Sequence, residues 1–362
     1  VFRGLGHYEM WRRQTRSVPG DFLTERNGTS LGLVDLVSVH PLREPPIGRI
    51  AIHLHIFYVD LASEFAEFMR YMPFPYDLFV SVTSEEDSVL CKQVFSGLAE
   101  LGNLTVVVVP NRGRDIAPLF CSFGKALRQY DFIAHFHSKK SLYNKGSTVG
   151  WREYILRSLL GSKKQVKQIF SLLAGEEGVG LVYPQNFHMV PYVANTWLSN
   201  QGMGRLWCGR LGVDRVPSGY FDFPAGSMFW ARGEALRPLF DSGIRLEDFP
   251  EESGQSDGTF AHCLERLLGV VPQHFGFKVA ILKDDETPCW SPWRIGQYVN
   301  HWRERAEALL SAQEIQLVVF DIFDTLLVRP LLDPESIKAL VAHRCGGKHG
   351  EAYLALRAEA ET

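Results

Sequence analysis

The chain has 362 residues, 46% of them apolar, and a formal net charge of -3 at pH 7. That length exceeds one typical domain, the composition is that of an ordinary globular protein, and the near-neutral balance gives no basis for nucleic acid as a partner. No apolar run approaches the roughly 18–20 residues of a membrane-spanning helix, and no signal peptide opens the chain. Six cysteines with no CxxC pair and no zinc spacing suggest reduced thiols in a cytoplasmic setting. Residue 1 is Val, so an excerpt of a longer chain is expected.

Residues 1–47 combine an aromatic and basic opening, His7 to Arg13, with scattered Gly, Pro and Asn. They read as a lead-in or linker with little regular structure beyond one short helix or strand. From Arg49 the hydrophobic period alternates between 2 and 3.6. Strands are expected at 50–58, 77–83, 104–109 and 132–136, with helices at 61–71, 85–101 and 116–130 between and after them. Such alternation predicts an α/β fold with a doubly wound, mostly parallel sheet. The run Leu104 to Val109 is continuously apolar, so it is expected to be buried on both faces. Helices at 149–160 and 164–173 follow, then a strand at 179–184. Residues 186–214 read as an irregular loop or lid. A strand at 223–231 carries Gly226, where a backbone or ligand would approach closely. A helix at 233–240, an acidic loop at 247–257, a helix at 258–268 closed by Gly269, and a strand at 270–280 complete the sheet. The expected division is a lead-in at 1–47, a domain at 48–290, a helical connector at 291–313, and the opening of a second Rossmann-like domain at 314–362.

Polar chemistry gathers where strands end. Pro110-Asn111-Arg112-Gly113-Arg114-Asp115 lies between a strand and a helix that Asp115 can cap, the edge of an open sheet that favours anionic ligands. His137, Lys139 and Lys140 follow the fourth strand, Gly226 and Ser227 lie in the later strand, and Asp257 ends the acidic loop. Guanidinium and ammonium groups around a diphosphate would stabilise the charge that grows as a glycosyl or phosphoryl bond breaks. A carboxylate at the opposite rim could take a proton from an attacking hydroxyl. Each feature has a plainer reading. The arginines and lysines could be solvated, Asp257 could cap the next helix, and His53 and His135 read better as packed strand residues. Most of the tryptophans read as core, although Trp197 could stack on a sugar ring. A metal-dependent nucleotide-sugar transferase would place Asp-x-Asp after the fourth strand. The chain has His135-Phe136-His137-Ser138-Lys139-Lys140 there, which favours transfer without a metal and leaves a histidine-bound divalent cation as the alternative.

Four blocks resemble the rhamnan synthesis protein F family: Asn111 to Pro118, His137 to Ser141, Pro224 to Trp230, and Asp257 to Arg266. The resemblance covers about residues 49–280. It implies a GT-A-like glycosyltransferase, typically a rhamnosyltransferase that builds rhamnose-rich polysaccharides of the bacterial cell envelope. The implied donor is a nucleotide-activated L-rhamnose such as dTDP-L-rhamnose, and the acceptor a growing glycan, in some systems lipid-linked. Enzyme of this kind would work in the cytoplasm or at the cytoplasmic face of the inner membrane, beside membrane assembly machinery. Forming an α-linked product from a β-linked donor is inversion, for which Asp257 is the candidate base. Arg112, Arg114, Lys139 and Lys140 would hold the diphosphate, Asp115 the nucleoside or the loop, and His137 phosphate or sugar, while Gly226 permits close approach. The competing reading is a non-catalytic glycan-binding or scaffolding module of a polysaccharide assembly complex.

Val318 to Leu327 is similar to the first motif of the haloacid dehalogenase-like superfamily, which makes Asp321 the counterpart of its nucleophile. Phe323 stands where the phosphatases carry their second Asp, and the superfamily's later motifs are expected beyond Thr362.

Overall fold

A computed structural model describes residues 30–138, 150–175, 178–190, 192–217, 221–284, 286–287, 289–291, 342 and 346–360. The chain divides into two compact units, Ser17–Gln297 and a second made of Val1–Arg16 with Tyr298–Thr362. The second unit contributes one long described helix, Gly347–Ala360. The motif at 318–327, with Asp321, lies outside the described residues.

The larger unit is built on an eight-stranded sheet: β1 (Ser30–Val34), β2 (Ile50–Ile56), β3 (Tyr76–Val82), β4 (Leu101–Val108), β5 (Phe132–His137), β6 (Val179–Pro184), β8 (Phe229–Arg232) and β9 (Lys278–Leu282). A separate antiparallel pair joins β7 (Asn186–Phe187) to β10 (Cys289–Trp290). The order in the large sheet is β1-β9-β6-β8-β5-β2-β3-β4. Every pairing is parallel except those of β8, which runs antiparallel to both β5 and β6. The α/β class and the mostly parallel sheet therefore follow the sequence expectation.

Alternation along β2 explains the layering. Ile50, Ile52, Leu54 and Ile56 face one core with Phe65, Phe95, Phe170 and Trp230. Ala51 faces the other, with Leu119, Phe249, Phe260 and Leu264. His53 and His55 share the face of Ala51, because side chains two apart point the same way. Helices α1 (Ala62–Met69), α2 (Glu85–Phe95), α4 (Trp151–Leu160) and α5 (Lys163–Ala174) cover the first face; short α3 (Gly124–Leu127), α6 (Gln201–Arg210), α7 (Gly233–Phe240) and α8 (Phe260–His274) belong to the second. Local chemistry sets their starts. Ser84 accepts from Asp87 N at 3.1 Å ahead of three acidic residues in the first turn of α2, and Ser162 accepts from Gln165 N at 3.1 Å to begin α5.

Several expectations are corrected. β4 is not buried on both faces: as the last strand of the sheet it leaves Val107 37% exposed. The stretch read as an irregular lid contains β7 and α6. The strand expected from 223 begins only at Phe229. Gly269 does not end a helix, because α8 continues through it and Pro272 to His274, and 270–274 is helix rather than strand. Gly269 is there for space: a Cβ would lie 2.5 Å from Asp222 O and 2.6 Å from Phe223 Cβ. The helix expected at 116–130 is a wide turn at Pro118–Ser122 followed by α3. β1, from within the stretch read as a lead-in, joins the sheet. No helix among the described residues is long and apolar enough to cross a membrane.

Candidate functional site

Chain order reverses between β2 and β5. From β2 the chain builds outward through β3 and β4, then returns to place β5 on the other side of β2. In open α/β sheets, the crevice outside the C-terminal ends of strands at such a reversal is where ligands bind. The ends of β2 and β5 carry His55 and His137, which are register partners. Ser138, one residue on, closes this end: its Oγ accepts from Phe57 N at 2.8 Å and Tyr58 N at 2.9 Å.

The turn after β4 brings Asp115 to the same edge. Gly113 at φ +71° and Arg114 at φ 56° bend the backbone sharply, and a Cβ on Gly113 would lie 2.5 Å from Ala117 Cβ and 2.6 Å from the Phe249 ring. The two arginines then part. Arg112 turns to the loop before α8, donating from Nε to Phe249 O at 2.7 Å and pairing its backbone with Glu251. Arg114 donates to Gln255 O, lies 3.0 Å from His262 Nε2, and approaches Glu252 at 3.5 Å while keeping 36% of its side chain exposed. Glu252 also accepts from Gly113 N at 3.1 Å, so one carboxylate fixes both the turn and its guanidinium.

Asp115 does not cap a helix. It is buried, with Oδ2 3.1 Å from His135 Nε2 and Oδ1 3.9 Å from His137 Nδ1. Burial alone would raise its pKa; the facing imidazoles of His137 and His135 overcome that and hold it well below the usual carboxylate range. His135 Nδ1 meets His53 Nδ1 at 2.9 Å, His53 Nε2 meets Ser81 Oγ at 3.1 Å, and Ser81 Oγ meets His55 Nδ1 at 2.9 Å. His53 and His135 are packed strand residues as expected, both fully buried.

Gly226 packs directly on His137. His137 Nε2 donates to Gly226 O at 2.8 Å, and Gly226 N donates to Glu265 Oε1 at 2.6 Å. Gly226 at φ +91° and Ser227 at φ 60° form a tight turn against Trp151 and Ile155. The close approach expected at Gly226 is thus made by side chains of α4.

Asp257 is not the cap of α8, whose N-cap is Thr259. Its carboxylate accepts from Ser199 N at 2.9 Å and Asn200 Nδ2 at 2.8 Å and lies 3.3 Å from the Arg266 guanidinium. Arg266 is itself buried and donates to Thr196 O at 2.7 Å and His262 O at 2.8 Å. His262 ties this group to Arg114. Burial, then the positive charge of Arg114, pushes its pKa down to about 4. Trp197 is buried and cannot stack on a ligand without rearrangement.

The structure thus brings Asp115, His137 and Gly226 together and links Arg114 to Asp257 through His262 and Arg266, whereas Arg112 is occupied by backbone carbonyls. Lys139 and Lys140 lie outside the described residues. Sequence reasoning missed Glu252, His262, Glu265, His55 and Ser81. The i, i+3 spacing of His262 and Glu265, on one face of a helix, was the available signal for two of them.

Two curated relatives match 248 residues, 67% of this chain. They are the Uncharacterized protein WxcX of Xanthomonas campestris pv. campestris strain B100, 31% identical, and its namesake in strain ATCC 33913, 30% identical. The chain spans about a third of their length, 34% in each case. Residues 34–277, which hold six of the eight strands in full, the last residue of β1 and none of β9, match the family described as Rhamnan synthesis protein F. The chain belongs to the rhamnan synthesis protein F family.

Proposed function

We propose that the unit around residues 48–290 is a glycosyltransferase of GT-A type that serves the synthesis of rhamnan-like or O-antigen polysaccharide on bacterial surfaces. The reaction is transfer of L-rhamnose from a nucleotide-activated donor, dTDP-L-rhamnose, to a growing and in some cases lipid-linked glycan, with inversion at the anomeric carbon. The observation that carries this reading is the meeting of Asp115, His137 and Gly226 at the strand reversal, with Arg114 in the adjoining turn, in a member of a family described by rhamnan synthesis. Fold alone would not support it.

In this scheme Arg114, with Lys139 and Lys140, faces the diphosphate and supplies the positive charge that a divalent cation gives other transferases. Arg112 acts through the loop it holds rather than on the ligand. Asp257 is the base. Ser199 N, Asn200 and Arg266 fix its orientation, and the carboxylate keeps 19% of its side chain exposed for an acceptor hydroxyl. The enzyme acts in the cytoplasm, at the inner face of the membrane where lipid-linked acceptors are extended. The stretch from 314 is the start of a haloacid dehalogenase-like domain with Asp321 as its nucleophile.

Calorimetric titration of the whole chain with dTDP, UDP and GDP, with and without EDTA, tests the reading. Saturable dTDP binding that survives EDTA is expected. Loss with EDTA would refute the metal-free scheme, and no nucleotide binding by folded protein would refute the transferase in favour of a glycan-binding module. Asp257→Ala should lower rhamnosyl transfer by about 100-fold or more; turnover within a few-fold of the parent would remove Asp257 from the base role.

A further inference from the structure

The buried histidines of β2 and β5 form a chain whose polarity follows from its end. Asp115 as a carboxylate can only accept, so His135 Nε2 donates to it. With His135 taken as a neutral imidazole, which has one donor and one acceptor, its Nδ1 accepts, and His53 Nδ1 donates to it. The two rings lie within 11° of parallel with centroids 4.9 Å apart, while the facing nitrogens are only 2.9 Å apart. The rings therefore meet edge to edge, as an in-plane hydrogen bond requires. His53 Nε2 is then the acceptor for the Ser81 hydroxyl, whose lone pair takes the Nδ1 proton of His55. From a neutral His135, each link leaves the next no choice.

The last atom of the chain is His55 Nε2, an acceptor with no partner among the described residues. His55 is the penultimate residue of β2, opposite His137, at the strand reversal, and it retains 5% of its surface. Burial holds His53 well below 6.5 and pushes His55 down to about 4, which keeps both rings neutral near pH 7.

We propose that His55 is a ligand-contacting residue whose Nε2 accepts a hydrogen bond from a sugar hydroxyl in the crevice between β2 and β5, with Ser81, His53 and His135 as the positioning residues that fix its tautomer. A bare lone pair repels phosphate oxygens and selects a group with a proton to give. This assigns the hydroxyl-bearing part of the substrate to the β2–β5 crevice, apart from the diphosphate near Arg114, and it rests on the transferase reading above. The dependence on Asp115 is electronic as well as steric, since an imidazolium at His135 would reverse every link and leave His55 Nε2 as a donor.

Long-range proton–nitrogen spectra of the whole chain labelled with 15N-histidine, at pH 7.5, read the tautomers directly. The expected result is protonated Nδ1 on His55 and His53 and protonated Nε2 on His135, with His55 losing its single tautomer in Ser81→Ala. Addition of dTDP-L-rhamnose should move the bare Nε2 signal of His55 upfield, whereas dTDP should not. His55→Phe should weaken dTDP-L-rhamnose about ten-fold and dTDP less than two-fold. A proton on His55 Nε2 in the parent chain, or a bound sugar nucleotide that leaves His55 unmoved, overturns the proposal. If neither nucleotide binds, the transferase reading is the one that fails. Methyl α-L-rhamnoside at millimolar concentration then decides the inference alone: a shift at His55 supports it and no shift overturns it.

Discussion

Acid should destabilise the larger unit well before its carboxylates titrate. Unfolded histidines take up a proton near 6.5, while His55 and His262 in the folded chain do so only near 4. Lowering pH through that interval protonates the unfolded state first, so stability fully present above 6.5 is lost progressively down to about 4. At pH 5 the loss is about 2 kcal/mol for each of the two, or about 4 kcal/mol together, and His53 adds in the same direction. Asp115 contributes nothing in this window, because its pKa is depressed below 3.8 in the fold and its effect begins only near the unfolded value. With a urea m-value of about 2–3 kcal/mol/M, the unfolding midpoint should fall by about 1.3–2 M between pH 7.5 and pH 5. Fluorescence of the buried Trp197 and Trp230 reports this unit. The drop should persist in 0.5 M salt, since screening acts on surface repulsion and little on buried imidazoles. A midpoint unchanged at pH 5, or a His55→Gln/His262→Gln double variant that keeps the whole drop, would refute the reasoning.

Other outcomes follow from single contacts. Gly113→Ala forces a side chain into left-handed backbone and against Ala117 and Phe249, and should cost about 2–4 kcal/mol, read as a lowered melting temperature. Arg266→Met strips Asp257 of its buried partner and orphans the carbonyls of Thr196 and His262; a loss of about 3–5 kcal/mol in urea unfolding is expected, and one below 1 kcal/mol would mean that the ion pair is dispensable. Glu252→Gln removes the carboxylate beside Arg114 and should tighten dTDP binding by up to about five-fold in low salt, an effect that titration at two ionic strengths would detect.

Much of the fold is legible because periodicity is local. The alternation of Ile50 to Ile56 marks a strand and places His53 with Ala51 inside. What no stretch of sequence reveals is the register that sets His53 against His135, 82 positions away, so the histidines look like isolated packed residues rather than a chain. The same limit applies to Arg112 and Arg114. Two positions apart in one loop, they are chemically alike until the segment 247–255 arrives to hold Arg112 through Phe249 O and Arg114 through Gln255 O and Glu252. The misjudged strands have a related cause. Apolar runs are read the same way at the centre and edge of a sheet, and Gly269 suggests a stop until the approach of Asp222 and Phe223 shows why no side chain is tolerated there.

The pairing of β1 with β9 sets a timetable for the ribosome. Ser30 lies against Val279, so the first described strand of the sheet cannot find its partner until some 250 residues later. At about 5–20 residues per second that interval lasts on the order of 10–50 s. β2, β3, β4 and β5 can pair with one another in that time, since their contacts are complete once His137 has emerged. β1 remains a strand with exposed edges until β9 is made. A nascent chain of this protein is therefore a natural client for a holding chaperone at β1, and truncated products ending before Leu282 should be captured through that segment.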